Sequence, residues 1–128
     1  MTTDATRPRQ RYSGDGWSLD VGEDAGLRIF TLRGEFDFAV SAKLAEAFPD
    51  EPGAGDVVLD MAAVEYCDSS CLQVLLRLGS RLREAGGRLA VVTTVPAVVR
   101  PIELLCLGDV MPVHPSVAAA RASWGEEA

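Results

Sequence analysis

Between residues 57 and 93 the hydrophobic pattern changes period twice, and this restricts the fold more than any other feature of the chain. Val57-Val58-Leu59 is a continuous apolar run, as expected of a strand covered on both faces. From Ser70 to Ala85, Leu72, Leu75, Leu76 and Leu82 recur at helical spacing, with Gln73, Arg77, Arg81 and Glu84 nearer the wet side. Gly86-Gly87 stops that helix, and Arg88 to Thr93 returns to an extended apolar run. A strand, a helix and a strand joined by short turns make a βαβ crossover, which requires parallel pairing.

The flanking segments extend this pattern. Trp17, Leu19 and Val21 alternate with Ser18 and Asp20, and Leu27 to Arg33 is a second extended run, so the two form a hairpin with a five-residue loop, Gly22 to Gly26. After Gly34, Val40, Leu44 and Ala47 share one helical stripe, predicting a helix from Ala39 to Phe48. Pro49 to Asp56 reads as a Pro/Gly loop. Pro96 opens a third helical segment towards Leu107, in which Pro101 removes an N–H and crowds the preceding turn unless the helix starts after Pro96. A short strand over Val110 to Val113 and a helix from Ser116 to Trp124 follow. Met1 to Gly16 has no periodicity and is expected to be a flexible tail. The expected organisation is that tail, one domain over residues 17–124 and a short tail over 125–128. The fold class is α/β: a small mixed, mostly parallel sheet with an N-terminal hairpin and packed helices.

Composition removes several functions. A net charge of -7 over 128 residues opposes a phosphate backbone, so nucleic acid is a poor partner. No apolar run approaches the about 20 residues of a membrane span, and the N-terminus has no signal-like core, so a soluble cytoplasmic protein is expected with no membrane partner. Three cysteines give no disulfide framework. His114 is the single histidine and Lys43 the single lysine, and neither phosphate-binding glycine motif occurs. Catalytic triads, metal sites and self-contained nucleotide chemistry all lack their parts, so no catalytic residue, metal or cofactor is assigned. Cys67 and Cys71 lie four apart without a second pair, which suits buried thiols better than a metal.

In parallel sheets functional groups collect beyond the carboxyl ends of the strands. One such loop leads into Asp68-Ser69-Ser70-Cys71 at the head of the Leu-rich helix, where free N–H groups and the helix dipole favour an anion. Ser70 with Gln73 three residues on reads as a capping box, and Asp68 or Ser69 serves equally well as the cap. One cap needs one side chain, and three polar residues stand in a row. The surplus hydroxyl is a candidate phosphate acceptor.

Gly34-Glu35-Phe36-Asp37, Val57-Val58-Leu59-Asp60, Asp68-Ser69-Ser70 and Pro96-Ala97-Val98, in this order and separation, resemble a STAS domain over Trp17 to Ala122. The resemblance is strongest to anti-sigma factor antagonists of bacterial partner-switching systems. It implies that Ser69 accepts phosphate from an anti-sigma factor with serine kinase activity, which brings its own ATP and magnesium, and that a serine phosphatase reverses the step. It implies also that Asp37 lies close to Ser69 and that Asp37, Asp68, Ser69, Ser70 and Cys71 form the partner-binding face. The unphosphorylated form would hold the anti-sigma factor and free the sigma factor; phosphorylation would release it. The family usually has glycine where this chain has Cys71, so a side chain there is expected to obstruct the kinase.

Other readings are a STAS interaction module of a scaffold or transporter complex in which Ser69 only caps a helix, a phospho-receiver at Asp60, and a serine hydrolase. No lysine follows Asp60 as a receiver requires. No G-x-S-x-G elbow surrounds Ser69 or Ser70.

Overall fold

In the computed structural model, which describes residues 8–48 and 55–125, six strands form one sheet in the order in which they occur along the chain. The elements are β1 (Pro8–Gly14), β2 (Trp17–Asp24), β3 (Leu27–Phe36), α1 (Phe38–Ala47), β4 (Asp56–Cys67), α2 (Ser69–Glu84), β5 (Arg88–Val92), α3 (Pro96–Leu104), β6 (Val113–His114) and α4 (Val117–Ser123). β1 to β3 pair antiparallel, and the pairs from β3 to β6 are parallel. The expected mixed, mostly parallel sheet is therefore present, and α1, α2 and α3 supply the parallel crossovers.

Both faces of the sheet are used. Leu19, Phe30, Leu32, Leu59 and Met61 meet Leu44 of α1, Leu75 and Leu82 of α2 and Ile102 of α3 in the main core. On the other face Val58, Ala90 and Val92 pack against Ala120 of α4. This explains the unbroken run Val57-Val58-Leu59: all three side chains are buried because their neighbours lie on alternate faces. Each leucine fully withdrawn from water contributes about 1.5–3 kcal/mol, so α2, with Leu72, Leu75, Leu78 and Leu82 buried, is the main anchor of the helical layer.

Four expectations need correction. The proposed tail contains β1, which pairs with β2 from Pro8↔Gly22 to Gly14↔Trp17; as an edge strand it buries little and so carries no hydrophobic alternation. Residues 1–7 and 126–128 of the proposed tails, and most of the Pro/Gly loop, 49–54, lie outside the described residues. The hairpin loop is two residues, not five, because Asp24 pairs with Leu27 and both Ala25 and Gly26 take positive φ (53° and 83°), the turn that matches strand twist. The central strand is twelve residues long, not three. Finally, α3 does start at Pro96 and carries Pro101 inside it, at the cost of the bond to the Ala97 carbonyl.

Gly34 holds the functional end of the sheet in place. The Gly16 carbonyl accepts the Glu35 amide at 2.8 Å, and this close crossing is possible only because residue 34 lacks a Cβ. A β-carbon there would lie 2.0 Å from Gly16 O, and Gly34 has φ +98°.

Candidate functional site

β3 and β4 end side by side, Glu35 opposite Tyr66 and Phe36 opposite Cys67. Each strand runs straight into a helix through an aspartate cap. Asp37 caps α1, its Oδ1 accepting from Val40 N at 3.3 Å. Asp68 caps α2, its Oδ1 accepting from Ser70 N at 3.0 Å, Cys71 N at 3.1 Å and the Ser70 hydroxyl at 2.5 Å. Two further bonds join the helix starts: Asp68 N donates to Phe36 O at 3.0 Å, and the Cys71 thiol donates to Asp37 O at 3.2 Å. Asp37, Asp68, Ser69, Ser70 and Cys71 are thus brought together at the carboxyl ends of two adjacent parallel strands.

Their roles differ from one another. The cap is Asp68, and Ser70 is not the head of a capping box; it lies inside the first turn with its own hydroxyl given to Asp68. Ser69 is the first residue of α2 and is exposed, and its hydroxyl has no hydrogen-bond partner among the described residues. Ser70 is half-buried and lines a groove of about 690 Å³ between α1 and α2, beside Phe48, Gln73 and Val74. Cys71 is fully buried. Its thiol turns inward to Asp37 O, so the side chain expected to obstruct the kinase is packed in the core rather than exposed at the surface.

Sequence reasoning passed over two aromatics beside this site. Phe38, the first residue of α1, is 76% exposed, and Tyr66 is 47% exposed. Phe38 falls off the inward stripe of Val40, Leu44 and Ala47, and a large apolar residue at such a wet position was the available signal. Asp60 has a local role: its Oδ1 accepts from Ala62 N at 3.2 Å.

The electrostatics follow from these bonds. The Ser70 hydroxyl lowers the Asp68 carboxyl most, burial opposes it next, and the Cys71 and Ser70 amides add to the lowering, leaving it below its ordinary value of 3.8. Burial pushes the Cys67 thiol up to about 12 and the Cys71 thiol to about 11, with the neighbouring Asp68 carboxylate adding to both. Both therefore stay protonated packing groups near neutrality. Among the described residues no group of three or more His, Cys, Asp or Glu is placed to hold a metal ion. No helix among them is long and apolar enough to cross a membrane.

A carboxylate held below its unfolded value stabilises the fold above that unfolded value, and the contribution is lost as pH falls through the folded one. Asp68→Ala is accordingly expected to cost about 1 kcal/mol near neutrality, the usual worth of a helix cap. The gap to the wild type should close in acid below about pH 4. Urea unfolding across pH reads this. Asp56, whose carboxyl Arg88 also holds low, titrates in both proteins and cancels in the difference. A gap that persists unchanged in strong acid would show that the charge of Asp68 plays no part.

A sequence model of the STAS domain matches residues 18–120. Among solved structures, the crystal structure of an anti-sigma factor antagonist from Mycobacterium paratuberculosis is similar with a TM-score of 0.71 at 27% identity, over 89% of this chain and 98% of that one. The anti-sigma factor antagonist SpoIIAA in its unphosphorylated form is similar with a TM-score of 0.62 at 18% identity, over 86% of this chain and 99% of that one. Its phosphorylated form, from Bacillus, gives 0.58 at 17%, over 82% and 98%. At those identities the two SpoIIAA forms establish a common fold. No curated protein matches the chain.

Proposed function

Because the chain belongs to the STAS domain family, we propose that it is an anti-sigma factor antagonist, a regulatory binding module rather than a catalyst. In its unphosphorylated form it holds an anti-sigma factor that is also a serine kinase and so frees the sigma factor. Phosphorylation of Ser69 releases the anti-sigma factor, and a serine phosphatase resets the cycle. The observation that carries this reading is the state of Ser69: an exposed hydroxyl at the start of α2, without a partner among the described residues, beside an aspartate that already serves as the cap. Two further findings support it. SpoIIAA exists on this fold in unphosphorylated and phosphorylated forms, and the similar structure from Mycobacterium paratuberculosis is an anti-sigma factor antagonist.

The geometry suits a switch that works at the surface. A phosphate adds about -1.5 to -2 charges, and at the first residue of a helix the free amides and the dipole tolerate them. The fold therefore persists. The partner meets the new charge next to Asp68 and near Asp37, and the exposed Phe38 and Tyr66, which flank Asp37 and Cys67 in sequence, offer apolar surface for contact.

The test is co-purification with the candidate anti-sigma factor encoded in the same genome, with intact mass measured before and after ATP. The expected result is a complex that gains one phosphate on this chain and then dissociates. A complex that persists with unchanged mass would reject the phosphorylation switch. Failure to form any complex with such kinases would reject the antagonist reading.

A further inference from the structure

Ser69 and Ser70 are adjacent hydroxyls on the same turn, and nothing in their chemistry tells a kinase which to use. We infer that Asp68 is a positioning residue that decides between them, withholding Ser70 so that phosphate goes to Ser69; this rests on the phosphorylation reading above. In the transfer, the serine Oγ forms a bond to the γ-phosphorus of ATP, the bond from that phosphorus to the β–γ bridging oxygen breaks, ADP leaves and the hydroxyl proton passes to a base on the kinase. The accepting hydroxyl must therefore be reachable in line and must have its proton available to that base.

Ser69 meets both conditions: it is exposed, and its hydroxyl has no partner among the described residues. Ser70 fails the second. Its hydroxyl donates to Asp68 Oδ1 at 2.5 Å, so its proton is engaged, and the residue is half-buried where it lines the groove between α1 and α2. Asp68 does not serve instead as a base for Ser70, because the same Oδ1 already accepts the amides of Ser70 and Cys71 and the carboxyl is held in its charged, weakly basic form. The cap that starts α2 is thus also the device that removes one of two competing nucleophiles.

Site mapping by mass spectrometry, after incubation with the co-purified kinase and ATP, provides the test. On the wild-type chain phosphate is expected on Ser69 alone. Ser69→Ala should lower total incorporation by about tenfold or more, since using Ser70 means breaking a hydrogen bond to a charged group. In Ser69→Ala with Asp68→Ala, the freed Ser70 should take phosphate faster than in Ser69→Ala alone, a change of site that mere loss of a cap does not produce. Ser69→Ala with Asp68→Asn keeps a capping side chain and should give the same direction if the alanine pair folds poorly. The Ser70 hydroxyl proton should also exchange slowly in the wild type and fast in Asp68→Ala by NMR. Phosphate on Ser70 of Ser69→Ala at the wild-type rate, or none on Ser70 in either folded double variant, overturns the inference while leaving the phosphorylation reading standing. No phosphate on the wild-type chain overturns both.

Discussion

Gly34→Ala is expected to remove a large part of the domain's stability. The new β-carbon would lie 2.0 Å from Gly16 O and 2.9 Å from Gly16 C, both backbone atoms of the crossing turn that cannot swing aside as a side chain would. Relieving the overlap means giving up the Glu35 amide bond to Gly16 O, which anchors β3 just before Asp37. Overpacking typically costs about 1–3 kcal/mol, and a non-glycine residue in a disfavoured backbone region adds about 1–3 kcal/mol. The sum, about 2–6 kcal/mol, is a large part of the about 5–15 kcal/mol that holds a domain together. Gly26→Ala is the control, since Gly26 also has positive φ (83°) but a β-carbon there meets nothing within 4 Å. It should show the backbone term alone. Circular dichroism and urea unfolding of both variants measure the difference, and equal losses would show that the crossing at Gly16 yields easily.

Cys71→Gly should lower stability by about 2 kcal/mol and leave the rate of phosphate transfer unchanged. About 0.3–0.5 kcal/mol comes from replacing cysteine by glycine in a helix, and the rest from emptying a buried site and losing the thiol bond to Asp37 O. Cys71→Ala, which keeps helix propensity, separates the two parts and should cost about half as much. Transfer should not accelerate because the thiol points into the core, away from the approach to Ser69. Single-turnover phosphorylation alongside thermal melting reads both quantities. Faster transfer in the glycine variant would mean that the cysteine does stand in the kinase's way.

The change of hydrophobic period between residues 57 and 93 revealed the βαβ unit because α2 buries one stripe and β4 and β5 bury both faces there. Beyond Leu59 the same strand became illegible for a specific reason. β4 carries extra residues relative to β3 where Thr31 and Arg33 face Asp60 and Ala63, and again where Gly34 and Glu35 face Val64 and Tyr66. The buried residues Met61, Val64 and Cys67 are therefore spaced by three, which imitates neither a strand nor a helix. β1 was hidden because an edge strand gains backbone bonds without burying a side-chain face. At the site, the sequence named residues that the fold does bring together but could not distribute the hydrogen bonds among them. Asp68, Ser69 and Ser70 are all good caps, and only three-dimensional bonding shows that Asp68 does the capping and holds Ser70. The inward turn of Cys71 depends on the Asp37 carbonyl, thirty-four residues away, a contact that no local pattern encodes.

The order of the sheet has a consequence for how the chain comes into being. Every strand pairs with the strand immediately before it in sequence, so a chain emerging from the ribosome N-terminus first never has to hold an unpaired strand open for a segment not yet made. β1, β2 and β3 can form a meander early, α1 closes over it, and each later strand adds to an edge that already exists. The growing edge of the sheet, of the kind that templates aggregation in folds with distant pairings, is here covered each time by the next strand to be translated.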